Sequence, residues 1–152
     1  MSERTLESMV ACVTGGGRGI GRAICHSLAG AGATVASEYF RSAVEVETKT
    51  GKTDFVTRAD REAQERVLET IRAESEAPVV AEEDDATEVV PPSGRAWVVD
   101  PIDGTANYLR GLRLWGTSVA AVADGEPVAA ATAMPAMDDT YAAGDEGTAL
   151  NG

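Results

Sequence analysis

A chain of 152 residues is long enough for one ordinary domain with a buried core, and 43% hydrophobic against 25% charged residues is the balance of a soluble globular protein. The formal net charge of -12 argues against nucleic acid and anionic membrane as partners, and no apolar run is long enough to span a bilayer. Met1-Ser2-Glu3-Arg4 lacks the basic-then-apolar pattern of a secretion signal, and Cys12 and Cys25 lack metal-ligand spacing, so a cytoplasmic protein with reduced, buried thiols is expected.

Val10-Ala11-Cys12-Val13 has the pattern of a short strand and is followed by Thr14-Gly15-Gly16-Gly17-Arg18-Gly19-Ile20-Gly21. Ile20, Ala23, Ile24 and Leu28 then fall on one helical face. Gly30 and Gly32 are expected to end that helix, and Ala33-Thr34-Val35-Ala36 reads as a second strand. A glycine-rich turn between strand and helix can bring backbone N–H groups to a pyrophosphate. On these residues the segment from about 9 to 42 resembles the opening of the short-chain dehydrogenase/reductase family, whose dinucleotide loop reads Thr-Gly-x-x-x-Gly-x-Gly. Arg41-Ser42 looks like that family's NADP-type ending. The resemblance implies an NAD(P)-binding reductase fragment, but the family's Tyr-x-x-x-Lys pair is absent. Four positions after Tyr39, Tyr108 and Tyr141 stand Ala43, Leu112 and Asp145, so no cofactor-binding residue is assigned.

Thr48 to Asp54 is a polar turn, followed by Phe55-Val56. A helix is expected from Arg58 to about Ser75, burying Ala63, Val67, Leu68 and Ile71. Thr57-Arg58-Ala59-Asp60 fits a capping box, with the threonine at the cap and an acid three residues on. Pro78-Val79-Val80-Ala81 reads as a short strand ending in Glu82-Glu83-Asp84-Asp85, an acidic run that on charge alone is a solvated loop. Glu88 to Arg95, with Pro91-Pro92 and Ser93-Gly94, is a loop.

Trp97-Val98-Val99-Asp100-Pro101-Ile102-Asp103-Gly104-Thr105-Ala106-Asn107 is the stretch around which the chain is organised. An apolar run ends where Pro101 and Gly104 break it, with Asp100 and Asp103 on either side of the proline. Hard cations such as Mg2+ take oxygen ligands at short distances, and a strand-end turn can aim two carboxylates at one point. Tyr108 to Leu114 is a basic loop holding Arg110 and Arg113, which could face an anionic substrate. Ser118 to Ala123 and Val128 to Ala133 are apolar strands joined by a hairpin at Asp124-Gly125-Glu126-Pro127, and Asp138-Asp139 turns into Thr140-Tyr141-Ala142-Ala143.

The central string resembles the motif of the inositol monophosphatase family, Mg2+-dependent phosphatases of inositol and sugar phosphates. Lys52-Thr53-Asp54-Phe55-Val56-Thr57-Arg58-Ala59-Asp60 matches that family's Lys-x-Asp-x-Val-Thr-x-x-Asp, and Gly147 to Gly152 resembles its Gly-x-Gly-Ala-x-x-Asn-Gly. Ala31 to Arg41 also reads as the end of the family's first helix, leading into Val44-Glu45-Val46-Glu47. The resemblance therefore runs from about residue 30 to 152 and meets the dehydrogenase-like segment at a junction. It implies an α+β fold: the N-terminal half of a layered sugar-phosphatase fold, helices plus a largely antiparallel sheet, incomplete. Residues 1–36 are then an N-terminal segment and 37–152 the phosphatase-like domain, truncated. It implies metal ligation by Glu82, Asp100, Asp103 and the carbonyl of Ile102. Glu82, Thr105 and Asp60 would activate water, and the Gly104 and Thr105 N–H groups would hold phosphate. Ala81 stands where the family has glycine. Mg2+ is the cofactor implied and a small phosphorylated molecule the partner, with a homodimer as the assembly. The Trp-Asp motif of the family's second half, which completes the second metal site, is not among these residues. A non-catalytic metal- or phosphate-binding remnant is the reading from a different class.

Overall fold

The expected helix and the strand expected after it are a single helix. The computed structural model describes residues 20–42, 46–48, 55–82, 89–145 and 147–151. Within them α1 runs from Ile20 to Tyr39 without a break, through Gly30, Gly32 and the expected strand at Ala33-Thr34-Val35-Ala36. The reason lies in the spacing: Ile24, Cys25, Leu28, Ala29, Ala33 and Ala36 recur at helical intervals and all are buried. The reading of residues 31–41 as the end of a first helix fits this arrangement. The glycine-rich loop at 14–19 and the strand before it lie outside the described residues.

Gly32 is in α1 for packing. A Cβ there would stand 2.8 Å from Thr117 Cγ2 and 2.9 Å from Val67 Cγ2, so only glycine lets the helix sit this close to its neighbours. A Cβ on Gly30 would meet nothing within 4 Å. Two neighbouring substitutions should therefore have opposite signs. Gly30→Ala should stabilise by up to about 1 kcal/mol through helix propensity. Gly32→Ala should cost about 1–3 kcal/mol as the buried methyl groups are forced apart. Urea unfolding of both variants checks this; equal midpoints would disprove the packing argument.

A two-stranded antiparallel ribbon, β1 (Val46–Thr48) and β2 (Phe55–Thr57), leads into α2 (Arg58–Glu74). The capping box at its start is present in both directions: Thr57 accepts from the Asp60 amide, and Asp60 accepts from the Thr57 amide. The six-stranded sheet runs β3 (Val79–Ala81), β4 (Arg95–Asp103), β5 (Gly116–Ala123), β6 (Glu126–Met134), β7 (Asp139–Gly144) and β8 (Gly147–Leu150), neighbour to neighbour in chain order. Among the described residues only β3 and β4 pair in parallel; the other ladders are antiparallel. The expected hairpin between β5 and β6 turns on Asp124 and Gly125, both with positive φ (52° and 80°), the geometry whose twist matches the strands.

The helices α1 and α2 cover one face of the sheet. Ile24, Leu28, Val67 and Ile71 pack there against Trp97, Val99, Val119, Ala121 and Ala131. Cys25 is part of this core, and burial pushes its thiol up to about 11, so it is an inert apolar filler. A second cluster joins Ala36 of α1 and Ala59 and Ala63 of α2 to Ile102, Tyr108 and Trp115. That cluster is the floor beneath the turn at the end of β4. Among the described residues no helix is long and apolar enough to cross a membrane.

Candidate active site

The proline expected to break the central strand does not end it. β4 continues through Pro101 to Asp103, and the ladder slips there: Asp100 pairs with Ser118 and Asp103 with Gly116. Three steps on β4 thus oppose two on β5, which is a bulge, and a bulge is where a strand tolerates a residue with no N–H to donate. The Thr117 hydroxyl donates to the Pro101 carbonyl at 2.7 Å and holds the bulge down. Ile102 is buried beneath it, while Asp100 is half-buried and Asp103 exposed at the strand end.

Gly104 follows with φ 87°, a left-handed conformation that suits glycine. The short helix α3 (Thr105–Leu109) starts on it, taking in Tyr108 and Leu109, which the sequence reading assigns to a loop. The Asn107 and Tyr108 amides both donate to the Gly104 carbonyl, at 2.8 and 3.0 Å. The Thr105 hydroxyl donates to the Ile102 carbonyl at 3.0 Å and lies 3.5 Å from Asp60 Oδ1. A hydroxyl has one proton, so the nearer carbonyl holds it and Asp60 is the alternative acceptor.

Asp60 is 1% exposed. Its other oxygen accepts from the Thr57 amide at 2.8 Å and from the Thr57 hydroxyl. Burial raises its carboxyl above the usual range, the Thr57 donors work against that rise, and the charge of Glu82 adds to it. The acid of the α2 capping box is thereby also the acid behind Thr105.

Glu82 is the residue after β3, and its amide donates to the Val99 carbonyl at 3.1 Å. The parallel pairing of β3 with β4 sets it beside Asp100, and the two carboxyls share a hydrogen bond. Burial pushes Asp100 up to about 8, helped by the bond to Glu82, its charge, and the charges of Asp103 and Asp60. Burial beside these acids thus favours the neutral form of the Asp100 carboxyl. Its Oδ1 is buried and, among the described residues, has no hydrogen-bond partner, which leaves a hard-oxygen donor unused. Among the described residues, no three His, Cys, Asp or Glu side chains are yet closed around one point. The structure thus brings Glu82 and Asp100 into contact and Asp60 and Asp103 within charge range of them. The Ile102 carbonyl is engaged by Thr105. Glu83, Asp84, Asp85 and Lys52 lie outside the described residues.

The departure from the resembled motif at Ala81 leaves the acids untouched. Ala81 is 8% exposed and belongs to the core beneath the helices, so its methyl points away from them. The aromatic support of α3 gave no signal in the sequence. Tyr108 donates to the Ala36 carbonyl at 2.7 Å, and its ring meets Trp115 edge-on at 4.9 Å and Phe40 at 5.5 Å. Reading residues 108–114 as a loop hides the three-residue spacing from Thr105 that puts Tyr108 on the inner face of a helix.

The described residues form an α+β domain in which a bulged strand delivers clustered acids to a glycine turn. The model of the inositol monophosphatase family matches residues 21–152, and the chain belongs to that family. It is 38% identical over 109 residues to the fructose-1,6-bisphosphatase/inositol-1-monophosphatase of Thermotoga maritima, covering 70% of this chain and 41% of that protein. The solved IMPase of Thermotoga maritima superposes with a TM-score of 0.74 at 32% identity, over 86% of this chain and 50% of that one. An IMPase/NADP phosphatase complexed with NADP and Ca2+ superposes with a TM-score of 0.70 at 25% identity, over 78% of this chain and 46% of its own. The chain therefore spans about half the length, or less, of the relatives it matches.

Proposed function

We propose that these residues form the N-terminal half of a Mg2+-dependent phosphomonoesterase of inositol phosphates or sugar phosphates. The observation that carries the reading is Asp100 Oδ1, buried and, among the described residues, without a hydrogen-bond partner, beside the charges of Glu82, Asp103 and Asp60. Four carboxylates within charge range are costly in one place unless a cation offsets them. The names of the Thermotoga maritima relatives and the Ca2+ in the IMPase/NADP phosphatase support the same choice of chemistry.

Glu82, Asp100, Asp103 and the Ile102 carbonyl would hold the metal. Mg2+ bound there would supply positive charge against the phosphate and lower the pKa of a water. Thr105 and Glu82 would position that water through their side-chain oxygens; with a cation on the Ile102 carbonyl, the Thr105 hydroxyl would turn to Asp60, its alternative acceptor at 3.5 Å. Asp60, held in place by the Thr57 amide, would be the carboxylate able to take up a proton passed through Thr105. The Gly104 and Thr105 N–H groups, at the left-handed turn, face the phosphate oxygens. The partner is a small phosphorylated substrate.

The test is Mg2+-dependent phosphate release from inositol 1-phosphate and fructose 1,6-bisphosphate. The 152-residue chain should be compared with the same chain joined to the second half of the Thermotoga maritima relative. The joined protein is expected to turn over, and the chain alone to fall at least about 10²-fold below it, since misplacing a catalytic group by even 1 Å costs that much. Asp103→Asn and Thr105→Ala should each abolish the activity of the joined protein. Full activity after Asp103→Asn would remove the β4 turn from the catalytic centre.

A further inference from the structure

We infer that Thr117, on β5, is the positioning residue that keeps Asp100 and Asp103 on one side of the sheet and so sets the spacing of the two carboxylates assigned to the metal. The inference rests on the phosphatase reading and deepens it, by naming a side chain that touches neither metal nor substrate. The two acids are three residues apart. In a regular strand successive side chains alternate between faces, so residues three apart point in opposite directions. β4 begins in that way, with Trp97 and Val99 packed beneath the helices. On the same alternation Pro101 and Asp103 would follow them, and Asp103 would be directed away from Asp100.

The bulge changes the parity. Asp100 pairs with Ser118 and Asp103 with Gly116, which are two apart and therefore on one face of β5. Between those pairs Pro101 and Ile102 together oppose Thr117 alone. Burial follows the same switch. Ile102, not Asp103, packs with Ala36, Ala59 and Ala63 of the helices, while Asp103 is exposed. One inserted residue thus turns an i, i+3 pair into neighbours on the same face.

Thr117 holds the inserted residue in place. Its hydroxyl donates to the Pro101 carbonyl at 2.7 Å, and with the residue 0% exposed that hydroxyl has no solvent to turn to. Its Cγ2 stands 2.8 Å from the point a Cβ on Gly32 would occupy, and Val67 Cγ2 stands 2.9 Å from the same point. The γ-methyl therefore takes the space that a glycine leaves in α1, next to α2. A β-branched side chain is stiff about its first torsion, so seating the methyl there aims the hydroxyl at the bulge. Valine at this position would keep the shape and lose the donor. Serine would keep the donor and lose the methyl.

Mg2+ titration calorimetry on the 152-residue chain, with urea unfolding alongside, separates these two roles in Thr117→Val and Thr117→Ser. Both variants are expected to unfold at lower urea than the parent. Only Thr117→Val should bind Mg2+ more weakly, by about tenfold or more, as when a residue that orients metal ligands is lost. Thr117→Ser should stay close to the parent's affinity despite its lower stability, which a packing role alone does not predict. Equal affinity in the parent and Thr117→Val, or an equal loss in Thr117→Ser, would overturn the inference and leave the metal reading standing. A parent chain that bound no Mg2+ would remove the metal site and the inference with it. Should Thr117→Val fail to fold, Thr117→Cys carries the test, since a thiol is a weak donor and a poor ligand for Mg2+. It should lose affinity in the same direction, and unchanged affinity there would equally overturn the inference.

Discussion

Asparagine in place of Asp100 should raise the melting temperature of the metal-free protein and abolish its response to Mg2+. Asp100 stands at about 8 where an ordinary aspartate stands at 3.8, so the folded protein holds a proton that the unfolded chain gives up. A raised folded pKa contributes stability that is complete below the unfolded value and is lost as pH rises through the folded one. The metal-free protein should therefore grow less stable from about pH 4 to about pH 8. The substituted asparagine carries no charge at any of these pH values, so the variant should lose most of that slope. At pH 8 it should melt higher by roughly 2–4 °C, the shift that about 1 kcal/mol makes in a chain of this length. Added Mg2+ should raise the melting temperature of the parent chain, more at pH 8 than at pH 5, because ligand carboxylates must first be deprotonated. The variant should show no such rise. Differential scanning fluorimetry with and without Mg2+ reads every arm. A Mg2+ response of equal size in the variant would remove Asp100 from the ligands, and a lower metal-free melting temperature would contradict the account of like charges crowded together.

Alanine in place of Gly104 should cost about 2–4 kcal/mol, among the larger effects of a single methyl group. Two penalties combine. The residue sits at φ 87°, where a side chain is strained by about 1 kcal/mol or more. The new Cβ would also stand 3.0 Å from the Leu114 carbonyl oxygen, which is backbone and is held by Asn107 Nδ2 at 2.8 Å. That oxygen can move only by giving up its hydrogen bond. Gly94 separates the two terms: it has φ 82° but nothing within 4 Å of an added Cβ, so Gly94→Ala should show the strain alone. Guanidinium unfolding of both variants gives the difference. Equal costs would mean that the loop wall yields freely and does not shape the turn.

Local signals in the sequence were enough for several elements. The α2 start was legible because Thr57 and Asp60 satisfy each other within one turn, a contact that needs no distant partner. The β5–β6 hairpin was legible because Asp124-Gly125 admits positive φ whatever surrounds it. The motif from Asp100 to Thr105 named the acids and the glycine, and the structure sets Glu82 against Asp100 at the point where β3 meets β4.

What the sequence could not determine was decided between residues far apart in the chain. Gly30 and Gly32 look alike as helix breakers, yet α1 passes through both, and the close approach of Thr117 and Val67 requires a glycine at Gly32. Pro101 looks like the end of a strand, yet the pairing with β5 absorbs it in a bulge pinned by Thr117. Ala81 and Glu82 are neighbours in sequence, but strand alternation sends one side chain into the helical core and the other to the acids. Propensity and capping act over about four residues, so the sequence alone determined which elements could start and which acids were available. Packing, register and shared burial act across the fold, and they alone decided where α1 ends, how β4 passes its proline, and why the Asp100 carboxyl is pushed above the usual range.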